Sequence, residues 1–252
     1  MDLRTVKVMR YVTPLREGGS LPAIVEGDDD GLYVLKFRGA GQGVRALIAE
    51  LIAGEIARAL GLPVPEILFA ELDPQLAMTE PDPEIQELIR ASAGLNLALD
   101  YLPGSIMFDA AIEQPAAELA SQIVWFDAYT ANVDRTPRNA NMLLWHKKLW
   151  LIDHGAALYF HHNWDTFGEN STNAFKLILQ HILLPFAAEI ESVDAGLAAR
   201  LTPEILAEIV ALIPDGWLKD PAAERKTYLD FLIDRLKTPR AFVHEIVEAK
   251  TR

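Results

Sequence analysis

Two short stretches of this chain carry the residue types that phosphoryl transfer needs, at spacings that let them meet. The first is Asn132-Val133-Asp134-Arg135-Thr136-Pro137-Arg138-Asn139-Ala140-Asn141, and the second is Ile152-Asp153-His154-Gly155. Moving a phosphoryl group is chiefly positioning and charge neutralisation. One carboxylate faces the acceptor hydroxyl, while an amide oxygen and a second carboxylate hold Mg²⁺ against the phosphates. Asp134 and Asn139 lie five residues apart, so one tight turn can aim the first at an acceptor and the second at a metal. Asp153 comes nineteen residues after Asp134, across an apolar run that reads as a hairpin returning the chain to the same point. Any one of these residues alone would as readily cap a turn or end a strand. Their joint spacing points to a site.

Two further signals would supply positive charge and backbone donors. Lys36, in Leu32-Tyr33-Val34-Leu35-Lys36-Phe37, can project from a strand into a cleft and neutralise the α- and β-phosphates, provided a carboxylate fixes it. Fourteen residues on, Glu50 lies at the flank of an apolar helical stripe, and Glu55 lies near its centre. The flank suits a carboxylate bridging sheet and cleft, so Glu50 is the expected partner, with Glu55 the alternative. Gly18-Gly19-Ser20 falls between the first two predicted strands, where glycines would let N–H groups approach phosphate; a plain hairpin turn would use the same residues.

A regular order of strands and helices must hold these groups. Residues 5–14, 21–26 and 32–37 read as strands, followed by a helix from Val44 to Leu60 that Gly61 and Pro63 terminate. Residues 64–72 and 95–101 read as two more strands, joined by a Pro-rich acidic connection. After Leu102-Pro103-Gly104 the pattern turns helical, at 115–131, 172–190, 203–213, 221–236 and 239–250, interrupted by the hairpin 142–145/149–152. Asp220-Pro221 and Thr238-Pro239 look like N-cap plus first-turn proline pairs. Asp127 sits on the apolar side of the helix before the Asp134 loop and is expected to brace that loop from within. His161-His162 reads as a solvated loop, and Trp125, Phe126, Trp145 and Trp150 as core.

Composition removes other classes. With 23 basic and 36 acidic residues, a net charge of −13, the surface repels phosphate backbones and anionic lipid, so neither nucleic acid nor membrane is an expected partner. There are no cysteines, which excludes disulfides and thiolate chemistry and suits a reducing, cytoplasmic setting. No P-loop, G-x-S-x-G or H-E-x-x-H motif occurs.

The DRTPRN loop and the strand-end DHG are similar to the catalytic-loop D-x-x-x-x-N and the D-F-G of protein kinases, with histidine replacing phenylalanine. The segment ELIAGEIARALGLPVPE, starting at Glu50, resembles the pattern of the HipA-like kinases, a glutamate followed by an apolar helix and G-L-x-V-P. The likeness spans roughly residues 20–160. It implies an α+β, bilobal protein-kinase-like fold, with a nucleotide-binding lobe at 1–102 and a helical lobe at 103–252. It implies ATP and Mg²⁺ as cofactors, with the metal on Asn139 and Asp153. Asp134 would be the catalytic carboxylate, and Lys36 the phosphate-neutralising residue paired with Glu50. Asp100-Tyr101-Leu102 would be the hinge that meets adenine. HipA toxins carry an extra N-terminal subdomain, whereas this sequence opens on the strand-rich part, and D-R-x-x-x-N is also similar to lipid-kinase wording. Toxin behaviour and a tRNA-synthetase substrate are therefore not carried over. The expected reaction is transfer to Ser or Thr on a protein; a small-molecule or lipid-type kinase and a catalytically silent ATP-binding module are the alternatives.

Overall fold

A computed structural model describes residues 2–15, 21–41 and 43–251, so the Gly18-Gly19-Ser20 turn lies outside the described residues. Five strands open the chain in the expected order: β1 (Thr5–Pro14), β2 (Ala23–Gly27), β3 (Leu32–Lys36), β4 (Ile67–Leu72) and β5 (Gly94–Asp100). They close into a barrel, ordered β1-β2-β3-β5-β4, because β1 pairs in parallel with β4 from Thr5↔Phe69 to Lys7↔Glu71. Strand alternation then decides which side chains are available for chemistry. In β3, Tyr33 and Leu35 fill the barrel interior with Val6, Val25 and Leu68, while Val34 and Lys36 face the other way, into a cleft.

Between β3 and β4 lies α1 (Gly43–Ala59). Every residue from Leu47 to Ala57 is buried, so this helix is packed on all sides rather than along one stripe. Gly61 takes φ +79° just past its end, and the Leu62 amide turns back onto the Ala57 carbonyl, as a left-handed helix terminus requires.

The Pro-rich acidic connection after β4 carries structure of its own. It forms a 3₁₀ turn, Pro74–Thr79, and α2 (Pro83–Ala91), whose N-cap Asp82 accepts from the Glu84 amide and whose Ile85 and Ile89 reach the barrel core. Beyond β5, a two-residue strand β6 (Ile106–Met107) adds a third member to a small sheet ordered β6-β7-β8, with α3 (Ala117–Tyr129), β7 (Met142–Trp145) and β8 (Lys148–Leu151) following in sequence.

The helix expected over 172–190 does not form. Pro185 cannot donate within a helix, and the segment is broken into 3₁₀ turns at Lys176–Gln180 and Leu184–Phe186 before α4 (Ile190–Arg200) begins. Then come α5 (Pro203–Ala211), α6 (Pro221–Leu236), capped by Asp220 as expected, and α7 (Ala241–Thr251). The Thr238-Pro239 pair does not start the last helix; its peptide bond is cis, and α7 begins two residues later. Trp125 and Phe126 are fully buried, while Trp145 and Trp150 stay half-buried on the hairpin. His161 is buried, not solvated: it packs on Phe167 and sits 3.1 Å from the Tyr228 hydroxyl, and burial pushes its pKa down to about 3. One apolar core runs from α1 through α3 to α7, so the barrel's outer helix and the helical part share it. Among the described residues no helix is long and apolar enough to cross a membrane.

Candidate active site

A cavity of about 790 Å³ opens between the barrel and the β7–β8 hairpin. Lys36 from β3, Asp100, Tyr101 and Leu102 from the end of β5, Asn139 from the DRTPRN loop, and Asp153 after β8 all line it. The Lys36 Nζ lies 2.8 Å from Asp153 Oδ1 and 3.8 Å from Glu50 Oε2. Glu55 pairs instead with Arg58, at 3.4 Å. Asp153 adopts φ +55°, a left-handed conformation that aspartate tolerates better than most residues.

In the Asp134 loop, the backbones of Thr136 and Asn139 bond each other reciprocally, at 2.9 and 3.1 Å, leaving Pro137 and Arg138 at the tip of a tight turn. The same turn folds Asn139 back so that its Nδ2 donates to Asp134 Oδ2 at 2.8 Å. That leaves the Asn139 amide oxygen as the atom that could accept a cation. Two hard oxygen donors, one of them charged, suit a Mg²⁺ ion that takes its remaining ligands from phosphate and water. No cluster of three or more acidic or histidine residues able to hold an ion exists among the described residues.

A comparison with protein families matches the HipA-like kinase model over residues 8–241. The chain belongs to the HipA-like kinase family. It is therefore a kinase-type phosphotransferase. Among solved structures, this kinase is similar to the Helicobacter pylori proinflammatory kinase CtkA, with a TM-score of 0.57 and 12% identity over 99% of this chain and 98% of that one. It is also similar to the Golgi casein kinase with Mn/ADP bound, with a TM-score of 0.54 and 11% identity over 98% of this chain and 73% of that one. At such identities the likeness shows the protein-kinase-like, α+β fold. No curated protein matches the chain.

The charges of the kinase's site are set by burial and by the neighbouring groups that oppose it. Burial works against the Lys36 ammonium, but Glu50 and then Asp153 outweigh it and hold its pKa above the ordinary lysine value. Burial likewise opposes the Glu50 carboxylate, and Lys36 followed by His154 pushes it down to about 2. Burial lifts Asp134 above the usual carboxylate range against hydrogen bonds from Asn141 and Asn139, and the nearby charge of Asp153 adds to the lift. A carboxylate raised in this way is better matched to accepting a proton.

Sequence reasoning expected Asp127 to brace the loop, as it does, but missed the side chains that complete the support. His154, inside the DHG segment, is fully buried, packs edge-on to Phe126 at 5.7 Å and directs Nδ1 at Glu50 Oε1 from 3.4 Å. Phenylalanine at that place could not contact the carboxylate in this way. The loop itself hangs on Asp127, which accepts from Asn132 Nδ2 at 2.8 Å, Arg135 Nε at 2.6 Å and His181 Nε2 at 2.9 Å. His181 Nδ1 accepts from the Leu183 amide, so its proton sits on Nε2 and faces Asp127. Arg135 also binds the Asn141 carbonyl, and Asn141 Nδ2 returns to Asp134. A carboxylate on the apolar side of its helix was the available signal for the brace; the convergence of Asn132, Arg135 and His181 on it was not.

Proposed function

We propose that this HipA-like kinase transfers the γ-phosphoryl group of ATP to a Ser or Thr hydroxyl of a protein. The observation that carries the reading is that Lys36, Asn139 and Asp153, three residues far apart in sequence, wall one cavity whose far side is Asp100-Tyr101-Leu102. The barrel side, residues 1–102, is read as the nucleotide lobe and residues 103–252 as the helical lobe of a bilobal enzyme. The Asp100 and Tyr101 amides already donate to Glu66 and Leu32 carbonyls at 2.9 and 3.0 Å. Pro103 has no N–H, so the Leu102 amide is the hinge donor left for adenine.

Lys36, fixed by Glu50, neutralises the α- and β-phosphates, which would displace it from Asp153. Asn139 and Asp153 would hold Mg²⁺, whose charge offsets that of the phosphates. Asp134 orients the acceptor hydroxyl and takes its proton as the oxygen attacks phosphorus and the bond to the ADP oxygen breaks. Wild-type and Asp134→Ala protein are to be incubated with γ-labelled ATP, Mg²⁺ and a cell lysate. Label on protein with wild type and none with the variant is expected; label on metabolites alone would replace the protein acceptor with a small molecule, and equal label from both proteins would remove Asp134 from the mechanism.

A further inference from the structure

A second groove, of about 640 Å³, runs beside the Asp134 loop and is lined by Pro137 and Arg138 on one side and Leu179, Ile182 and Pro185 on the other. Its far wall belongs to the 3₁₀ segment that replaces the expected helix, and it is tied to the catalytic loop at two points. The Ile182 amide donates to the Arg135 carbonyl at 3.1 Å, one residue from Asp134, and the neighbouring His181 binds Asp127. The groove therefore keeps a fixed register to the carboxylate that faces the acceptor.

Its lining has two further properties. Leu179 is 45% exposed, and Pro137 and Pro185 are exposed too, so apolar surface is left open next to the proposed chemistry. Arg138 stands at the tip of the Thr136–Asn139 turn, lines both this groove and the nucleotide cavity, and has no ion-pair partner among the described residues. In a chain of net charge −13, an uncompensated cation at the junction of the two cavities selects for negative charge.

Building on the phosphotransferase reading, we propose that this groove docks the acceptor protein as an extended segment, with an apolar side chain against Leu179, Ile182 and Pro185 and an acidic side chain facing Arg138. The acceptor is thus an acidic-apolar Ser/Thr segment rather than a basic one. An extended chain fits because the groove walls present prolines and a 3₁₀ segment, with no long helix face to pair with a helical partner.

The test is phosphorylation of an array of Ser/Thr peptides in which single flanking positions are fixed as Asp, Lys, Leu or Gly, using wild type, Arg138→Glu and Leu179→Asp. Leu179 is half in solvent, so its variant keeps the fold. Wild type is expected to favour Asp-bearing over Lys-bearing peptides by about fivefold, the scale of an exposed ion pair. Arg138→Glu should reverse that ratio, which is independent of any loss in overall rate. Leu179→Asp should raise KM for Leu-bearing peptides by about tenfold with KM for ATP unchanged. Peptide phosphorylation with ratios unmoved by either variant overturns the groove alone. Label confined to the kinase's own chain, or to lysate metabolites, also overturns it while leaving phosphotransfer standing. ATP turnover missing from every arm overturns the groove together with the phosphotransferase reading.

Discussion

Replacing Asp127 by Asn should unfold the loop's support without changing side-chain size. Three donors converge on the two Asp127 oxygens: Asn132 on Oδ1, and Arg135 and His181 on Oδ2. Asparagine turns one of these oxygens into a donor, which leaves at least one N–H facing another N–H. It also removes the counter-charge of Arg135, whose side chain is fully buried. Breaking a buried ion pair costs about 3–5 kcal/mol, and an unmade buried hydrogen bond about 1–3 kcal/mol, and the two overlap here. A loss of about 4 kcal/mol is expected. With a urea m-value of about 3 kcal/mol/M, the midpoint of unfolding, followed by the fluorescence of buried Trp125, should fall by about 1 M. The double variant Asp127→Leu/Arg135→Met, in which both charges are gone, should be less destabilised than Asp127→Leu alone. A midpoint shift under about 0.3 M for Asp127→Asn, or strictly additive effects in the cycle, would refute the claim that this carboxylate carries the loop.

Glu50→Gln should raise KM for ATP by about tenfold, the loss of one charge-assisted contact to Lys36, as steady-state kinetics at saturating acceptor will show. The same residue predicts an acid limb in stability. Its folded pKa, about 2, lies below the ordinary value of 4.5, so the stability it contributes is fully present above pH 4.5 and is lost as pH falls towards 2. The difference is worth about 3 kcal/mol. Urea midpoints measured from pH 5 to pH 3 should fall for wild type and fall less steeply for Glu50→Gln; parallel curves would contradict the assignment.

The local elements and the site residues differ in how far the sequence could show them. The first three strands, α1 and the Asp220 cap follow from alternation, helical spacing and cap chemistry, all of which are local. Barrel closure does not, because the parallel pairing of β1 with β4 joins residues some sixty positions apart. The choice between Glu50 and Glu55 could not be settled by a helical wheel either, since α1 is buried all round and both carboxylates are inside. What separates them is Lys36, which reaches one and not the other because alternation in β3 sends it away from the barrel core. In 172–190 an apolar period of helical type misled, since Phe175, Ile178 and Leu184 are buried against α3 and α7 from separate 3₁₀ turns, and His181 is held by Asp127. Tertiary hydrogen bonds there override helix propensity. In the sequence His154 shows only as a histidine in place of phenylalanine in a familiar motif; its contact with Glu50 links two segments 104 residues apart and is visible only in three dimensions.

The most direct measurement of the central claim is calorimetric titration of ATP, with and without Mg²⁺, into wild type, Asp134→Ala and Asp153→Ala. The geometry predicts tight binding that requires Mg²⁺ in wild type, nearly equal affinity in Asp134→Ala, and loss of the Mg²⁺ dependence in Asp153→Ala. Identical Mg²⁺-dependent affinity in all three proteins, or no binding of ATP to wild type, would contradict it.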